Sequence, residues 1–290
     1  MNILNAIVLG IVQGATEFLP VSSSGHLSVF QHFMGIGGEG SLTMSVFLHI
    51  GTLASVIFVY YKTFWELILE LGRTIKDIFA RKFSFKDMGE TRRMLFMLIV
   101  SCLPLLILVI PVGADTRIMD VLGRFSEDDD IIVEGFCFLF TAFLLLFGTY
   151  VANKNKNSRP FVETKDAVAV GFAQALAAGF PGISRSGSTI STGMLCGVSK
   201  NYMVRYSFVL GTPAILAANL VELKDVAETG VNLNFMPIIL GIITSAVVGF
   251  GAIKALEWLV KTDKFKFFGY YCLVLGVSVI VAGLVEIFRG

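Results

Sequence analysis

Residues 13–26 read QGATEFLPVSSSGH, and residues 181–189 read PGISRSGST. Each stretch interrupts apolar sequence with Pro, Gly and several Ser residues, which end helices and form turns. The first stretch also carries a Glu and a His, and the second carries an Arg. We call these stretches the first tip and the second tip. The predicted fold follows from the way the apolar segments are grouped around them.

The composition of the chain is that of a membrane protein. Of its 290 residues, 55% are hydrophobic and 16% are charged, and the mean hydropathy is +0.77. These values indicate that lipid is the solvent. The net charge is +1, and the Lys and Arg residues cluster in loops without forming a basic face. No nucleic-acid partner is therefore expected.

Six apolar stretches are long enough, at about 20 residues each, to cross a bilayer as helices. They are residues 42–61, 94–112, 131–151, 202–221, 235–260 and 265–287. Four further apolar pieces, residues 3–19, 27–35, 167–180 and 189–198, are too short or too broken to span. Each tip joins two of these pieces, which predicts a re-entrant helix–tip–helix hairpin that enters the membrane and returns on the same side.

The distribution of charge predicts the orientation. Connections 62–93, 154–165 and 261–266 are rich in Lys and Arg and are assigned to the cytoplasm. The acidic stretches 115–130 and 222–228 are assigned to the outside. These assignments alternate through all six spans only if both hairpins re-enter, which places both termini outside. No cleaved signal peptide is expected, since residues 1–12 have no basic region.

An internal repeat connects the two tips. A shift of 161 positions places Gly10-Ile-Val-Gln13 over Gly171-Phe-Ala-Gln174, and Pro20-Val-Ser-Ser23 over Pro181-Gly-Ile-Ser184. Three spans, an odd number, separate the tips, so the second copy is inverted in the membrane. The prediction is one all-α membrane domain, 1–290, with inverted repeats of approximately 1–112 and 131–260. Broken helices of such repeats meet near the bilayer midplane and form binding sites there.

The second tip has the features of an anion site. Arg185 is the only charged residue between Asp166 and Lys200, and its planar guanidinium can contact two phosphate oxygens. A helix begins after each tip, so its free N–H groups point at the tip. Phosphate or diphosphate suits these donors better than a carboxylate does. The alternative is a structural ion pair between Arg185 and Glu17, which would also bring the tips together.

The first tip supplies catalytic residue types. A Ser hydroxyl, a His three residues away and a carboxylate provide a nucleophile, a proton acceptor and an orienting group or metal ligand. The spacing alone leaves open whether the chain is an enzyme or an inverted-repeat transporter or lipid flippase. The three Ser residues could also serve only to satisfy backbone groups at a helix break.

The two tips resemble the signatures of a known family. Their patterns, E/Q-x-x-x-E-F-L-P-V-S-S-S/T-G-H and P-G-x-S-R-S-G-x-T, are similar to those of the bacterial undecaprenyl-diphosphatase family, also called the bacitracin-resistance BacA family. The resemblance covers essentially the whole chain. It implies hydrolysis of a polyprenyl diphosphate lipid, undecaprenyl diphosphate, to undecaprenyl phosphate and inorganic phosphate, assisted by a divalent cation, Mg²⁺ or Ca²⁺. It also implies the bacterial cytoplasmic membrane and a role in cell-wall synthesis. The charge distribution predicts that the first tip opens to the extracytoplasmic side.

The resemblance also assigns residues to roles. It implies catalytic roles for Glu17, Ser23, His26 and Arg185, substrate binding by Ser22, Gly182, Ser184, Ser186 and Thr189, and metal ligation by Gln13 and Glu17. Many members have Glu where this chain has Gln13, which offers a carbonyl oxygen instead. Our mechanistic hypothesis is that Ser23 attacks the terminal phosphorus with His26 as general acid/base, while Glu17 orients His26 or holds the cation. His26 and a metal-bound water are the alternative nucleophiles.

Other notable residues receive plainer interpretations. Gly10 and Gly14 predict a close helix contact, and His32 is interpreted as structural. His49 is favoured as a packing residue, with a place near the site as the alternative because it adjoins the repeated Gly51-Thr52. The four cysteines are expected to be small buried hydrophobes. Residues 127–130 are expected to form a solvated loop, and 64–85 an amphipathic helix at the cytoplasmic interface. The oligomeric state stays open, a homo-oligomer being one option.

Overall fold

The computed structural model describes residues 2–35, 39–84, 88–113, 116–123, 131–155, 157–229 and 235–289. Twelve α-helices and one 3₁₀ helix occupy these ranges: α1 Ile3–Phe18, α2 Ser23–Met34, α3 Glu39–Val59, α4 Tyr61–Phe79, α5 Glu90–Cys102, the 3₁₀ helix Leu103–Val109, α6 Ile118–Gly123, α7 Ile132–Lys154, α8 Thr164–Gly179, α9 Arg185–Leu195, α10 Lys200–Thr229, α11 Phe235–Lys261 and α12 Lys266–Arg289. These ranges contain no β-strand longer than an isolated bridge. The predicted all-α class is confirmed. The predicted loop 127–130 lies outside the described residues.

The described residues contain five candidate spans, or six if one bent pair counts as a single span, where six were predicted. Five helical segments are long and apolar enough to cross a membrane: Glu90–Val109, Ile132–Lys154, Lys200–Lys224, Phe235–Lys261 and Lys266–Arg289. The sixth is the pair Thr43–Val59 and Tyr61–Phe79, which passes the same test together and is bent by 81°. The chain is therefore a multi-pass membrane protein.

The bend turns α4 away from the direction of α3. Trp65 and Ile68 are exposed on α4, whereas Glu70 is buried. Arg92 of α5 holds that buried side: its Nε lies 2.5 Å from Glu70 Oε1, and its Nη2 lies 2.7 Å from Asp77 Oδ2. An amphipathic helix predicted at 64–85 is thus found at Tyr61–Phe79. Its place at the cytoplasmic interface remains a prediction.

The second predicted span differs in its local structure. A continuous helix was predicted over 94–112, but the α-helix ends at Cys102 and a 3₁₀ helix follows. Pro104 lies at the start of the 3₁₀ segment and has no N–H to donate to the preceding turn. The missing hydrogen bond favours the tighter helix at this point.

Small residues allow close helix packing, as predicted for Gly10 and Gly14. A Cβ atom on Gly10 would lie 2.9 Å from the carbonyl oxygen of Gly241 in α11, and one on Gly14 would lie 2.7 Å from that of Ser245. Because glycine has no side chain, the backbones of α1 and α11 lie in direct contact at these two positions. All four cysteines are free; Cys137 and Cys272 are buried, while Cys102 and Cys196 are partly buried.

The two tips are built in the same way. Pro20 and Pro181 each lie two residues after the end of α1 or α8, because a proline disfavours helical backbone in the residue before it. Ser22 then caps α2 by accepting a hydrogen bond from the Gly25 N–H, and Ser184 caps α9 by accepting one from the Gly187 N–H. The predicted starts of these helices, 27 and 189, were therefore four residues too late, since the capping serines had been assigned to the tips.

Helix packing places both hairpins inside the bundle. α1 packs against α2, α3 and α11, while α8 packs against α9, α5 and the 3₁₀ helix. α3 and α10 pack on each other, as do α7 and α12. In an inverted repeat, the first helix of each hairpin is expected to pack on a helix of the other repeat, as α1 does on α11 and α8 does on α5. The repeat boundaries, 1–112 and 131–260, remain a prediction.

Candidate active site

Glu17 is the residue at which the two tips meet. It lies in the last turn of α1, and its side chain is only 4% exposed. Its Oε1 accepts a hydrogen bond from Arg185 Nη2 at 2.6 Å. The two residues are 168 positions apart in the chain. The structural ion pair considered as an alternative from sequence is thus present.

The second oxygen of Glu17 collects donors from the first tip. Ser23 Oγ donates to Glu17 Oε2 at 2.6 Å, and Gln13 Nε2 donates to the same atom at 2.9 Å. Gln13 and Glu17 are four residues apart and share a helix face, as predicted. One buried carboxylate therefore orients the hydroxyl of Ser23, the amide of Gln13 and the guanidinium of Arg185.

Two direct hydrogen bonds also join the tips. The Gly182 N–H donates to Ser24 Oγ at 3.0 Å, and Ser186 Oγ donates to the Leu19 carbonyl at 3.3 Å. Gly182 has φ +106°, a conformation that favours glycine. The N-terminal ends of α2 and α9 consequently face one shared site, where their free N–H groups favour a bound anion.

The guanidinium of Arg185 lies against Gly211 of α10. A Cβ atom at Gly211 would overlap Arg185 Nη1 and would lie 2.8 Å from Cζ. Glycine is therefore needed here for Arg185 to reach Glu17 in this geometry. A slip of one residue in the repeat places Ile50-Gly51-Thr52 over Leu210-Gly211-Thr212, but this alignment gives no indication of the contact.

The remaining residues predicted to bind substrate lie at the site but already have partners within the fold. Ser22 and Ser184 act as helix caps. Thr189 Oγ1 lies 2.6 Å from Ser207 Oγ and 2.9 Å from the Arg185 carbonyl, so it ties α9 to α10. Ser186 bonds the first tip. These hydroxyls therefore stabilise the fold around the site. The groups left to bind a substrate phosphate are the backbone N–H groups of the tips and the Arg185 guanidinium.

His26 has different partners from those the sequence suggested. Its Nδ1 lies 2.6 Å from the Ser22 carbonyl oxygen, and its Nε2 lies 2.7 Å from the Tyr271 hydroxyl. Both ring nitrogens are thus engaged away from Ser23, whose hydroxyl bonds Glu17. The arrangement gives no contact through which His26 could take the proton of Ser23. We therefore revise the general acid/base role predicted for it.

His49 lies at the site, although the sequence favoured a packing role. Its Nε2 is 3.6 Å from Glu17 Oε2, and its Nδ1 is 2.8 Å from the Ser45 carbonyl. A histidine in the middle of an apolar span gives no local signal of a partner on another helix. His32 fits its structural interpretation, because its Nε2 lies 2.9 Å from Glu286 of α12.

Comparison with known proteins identifies the family. The family described as "Bacitracin resistance protein BacA" matches residues 6–278, which include both tips. This chain belongs to the BacA family. It is 38% identical to a protein of Halothermothrix orenii called "Undecaprenyl-diphosphatase", over 97% of this chain and 98% of the relative. Relatives of the same name from Alkaliphilus metalliredigens and Methanobrevibacter smithii are 36% and 33% identical, over 98% and 99% of this chain and all of each relative.

The BacA-family site offers limited ligands for a cation. Gln13 is fully buried, and its Oε1 has no hydrogen-bond partner among the described residues. This oxygen belongs to the side chain that bonds Glu17, so an amide oxygen and a carboxylate lie together, as hard cations prefer. Within the described ranges, no group of three or more His, Cys, Asp and Glu side chains could hold a metal. The two side chains therefore fit a cation that takes its other ligands from a phosphate substrate and water.

Proposed function

We propose that this protein is an undecaprenyl-diphosphate phosphatase, which hydrolyses undecaprenyl diphosphate to undecaprenyl phosphate and inorganic phosphate. The observation that carries the proposal is the contact of Glu17 with both Ser23 and Arg185. It places a hydroxyl nucleophile, its proton acceptor and a phosphate-binding cation around one point. The activity named for the relatives supports the same substrate.

In this proposal the diphosphate replaces Glu17 as the partner of Arg185. A diphosphate carries more charge than one carboxylate and can take both arms of the guanidinium. The N-terminal ends of α2 and α9 add backbone N–H donors for the remaining oxygens. Once Arg185 turns to the phosphate, Glu17 Oε1 is free to take another ligand, while Oε2 keeps the hydrogen bond from Ser23 Oγ. Substrate binding thus leaves Glu17 in place to receive the Ser23 proton.

The first chemical step is transfer of the terminal phosphoryl group to Ser23. Ser23 Oγ attacks the terminal phosphorus, and its proton passes to Glu17 Oε2. The bond from that phosphorus to the bridging oxygen breaks, and undecaprenyl phosphate leaves. Arg185 and the tip N–H groups stabilise the charge on the phosphoryl oxygens in the transition state. Glu17 thereby takes the proton-accepting role first assigned to His26.

The second step releases inorganic phosphate. Water attacks the phosphoserine, the bond between Ser23 Oγ and phosphorus breaks, and Glu17 returns its proton to Ser23. The proton that water loses goes to the released phosphate or to solvent. We further propose that a divalent cation, Mg²⁺ or Ca²⁺, binds with the substrate through Glu17 and Gln13. When bound, such an ion neutralises part of the diphosphate charge.

We propose that the protein lies in the bacterial cytoplasmic membrane with the first tip opening to the outside. The basic connections 62–93, 154–165 and 261–266 support this orientation. One chain supplies every group named above, so the chemistry does not require a homo-oligomer.

The orientation can be tested by labelling a cysteine that replaces Asp263, which is exposed in the turn between α11 and α12. This cysteine should react with a membrane-impermeant thiol reagent only in permeabilised cells. Equal labelling of intact cells would contradict the orientation.

The activity is tested by phosphate release from undecaprenyl diphosphate in detergent micelles by the purified protein. We expect inorganic phosphate and undecaprenyl phosphate in equal amounts, with the rate reduced by a chelator and restored by Mg²⁺ or Ca²⁺. A transporter or flippase, the alternative from sequence, would move lipid in vesicles without releasing phosphate. Lipid movement with no phosphate release would overturn the proposed function, whereas indifference to the chelator would remove only the cation.

A further inference from the structure

Helix α12 contacts the first tip at two adjacent residues, although it belongs to neither hairpin. The Tyr271 hydroxyl lies 2.7 Å from His26 Nε2, and the two rings stack with an interplanar angle of 6° and a centroid separation of 5.7 Å. The neighbouring Cys272 is fully buried, and its Sγ lies 3.9 Å from the Pro20 carbonyl. Both ends of the turn in the first tip are thus held by a helix about 245 positions away in the chain.

The hydrogen bonds fix the protonation of His26. The Ser22 carbonyl can only accept, so Nδ1 of His26 must carry the proton in this contact. In the neutral ring Nε2 is then an acceptor, and the Tyr271 hydroxyl donates to it. The result is a directional chain from the Tyr271 hydroxyl through His26 to the Ser22 carbonyl. Phe138 packs edge-on against the His26 ring, with a centroid separation of 5.1 Å.

The end of this chain is a residue with strained backbone. Ser22 has φ +72°, which is unusual for a residue with a side chain. It directly precedes Ser23, so the Ser22 backbone determines where the Ser23 hydroxyl points. The hydrogen bond from His26 to the Ser22 carbonyl and the cap from Gly25 to Ser22 Oγ hold this conformation. Loss of the first bond would let the turn relax and move Ser23 away from Glu17.

We propose that Tyr271 and His26 form a positioning clamp that holds the Ser22 backbone and thereby aims Ser23 at the terminal phosphorus. The proposal rests on the proposed function, because it refines how the same site orders its nucleophile. Tyr271 is half exposed, and among the described residues its hydroxyl bonds His26 rather than Ser23, Glu17 or Arg185. The clamp therefore acts on kcat through geometry, while substrate binding by Arg185 remains.

The first test compares two adjacent tyrosines. Tyr271→Phe keeps the stacked ring but removes the hydroxyl, and we expect kcat to fall about fivefold with KM changed less than about twofold. Tyr270→Phe is the matched control, because Tyr270 is also half exposed on α12, and it should keep the parent kcat. Equal rates for the two variants, or a change confined to KM, would overturn the clamp.

The second test separates a clamp from a proton shuttle at His26. In His26→Asn the side-chain amide can still donate to the Ser22 carbonyl but loses the ring that Tyr271 bonds, so we expect kcat to fall about fivefold, as in Tyr271→Phe, with an unchanged pH profile. His26→Phe keeps the ring packing without the donor and should lose about tenfold or more. In that background Tyr271→Phe should add no further loss, because its partner is gone. Loss of one limb of the pH profile in His26→Asn, with about 10²-fold lower kcat, would make His26 a general acid/base and contradict the proposal.

A third measurement does not depend on turnover. The chain has three histidines, so the side-chain nitrogen resonances of His26 can be assigned with single-residue variants. We expect the Nδ1–H tautomer, with the Nε2 resonance shifted in Tyr271→Phe and unchanged in Tyr270→Phe. An Nε2–H tautomer in the parent would refute the clamp. If the parent protein released no phosphate, the proposed function would fail, while this measurement would still decide the clamp.

Discussion

Arg185→Ala is expected to lower kcat/KM for undecaprenyl diphosphate by about 10³-fold or more, because the variant loses the guanidinium that contacts Glu17 at the meeting point of the tips. Arg185→Lys keeps the charge but not the planar fork, and should lose about 10²-fold, mostly in KM. Steady-state phosphate release gives both constants. Arg73→Ala is the control, since the Arg73 side chain is 70% exposed on α4, and it should behave as the parent.

The same variant is expected to be less stable, and this effect can be separated from catalysis. Arg185→Ala leaves the Glu17 carboxylate buried without its positive partner, a change that costs about 3–5 kcal/mol in known cases. Adding Glu17→Gln removes the buried charge, so the double variant should recover most of the thermal stability in detergent but none of the activity. A double variant that regained activity, or an Arg185→Lys variant with parental kcat/KM, would contradict the role of Arg185.

Local sequence rules predicted much of this fold. Each span is a long apolar stretch, and the tips follow from Pro20 and Pro181, which disfavour helical backbone in the residue before them. The shared face of Gln13 and Glu17 follows from helix geometry alone. The early starts of α2 and α9 could also have been found, because Ser22 and Ser184 stand three residues before a glycine N–H that needs a cap.

The missed parts of the site come from contacts between helices far apart in the chain. His49 of α3 approaches Glu17, Gly211 of α10 makes room for Arg185, and Tyr271 of α12 bonds His26. Each of these residues lies in an apolar span, where the spacing of hydrophobic residues indicates only which face of the helix is buried. Nothing in one sequence tells which partner occupies that face. The general acid/base role predicted for His26 rests on its nearness to Ser23 in the chain, whereas its ring nitrogens contact Ser22 and Tyr271.

Ser23→Ala is expected to reduce kcat by about 10⁴-fold or more, because no other hydroxyl in the described residues bonds the Glu17 carboxylate. KM should change little, since Arg185 and the tip N–H groups still bind the diphosphate. This pattern is the opposite of the one expected for Arg185→Lys. Ser278→Ala is the matched control, because Ser278 is exposed on α12 and bonds only its own helix at the Val274 carbonyl.

A trapped intermediate distinguishes a nucleophile from a residue that merely orients water. Acid quench of the parent protein with stoichiometric substrate should give a phosphorylated peptide that contains Ser23. Glu17→Gln should slow its formation, because the Ser23 proton loses its acceptor.

If Ser23 only oriented a water molecule, no phosphopeptide would form and Ser23→Gly would retain activity, since water could fill the space. Turnover by Ser23→Ala at the parental rate, or phosphate trapped on another residue, would refute Ser23 as nucleophile. We expect the phosphopeptide at Ser23, because Ser23 and Arg185 both bond the Glu17 carboxylate. When the substrate binds Arg185, Glu17 remains beside Ser23 to receive its proton.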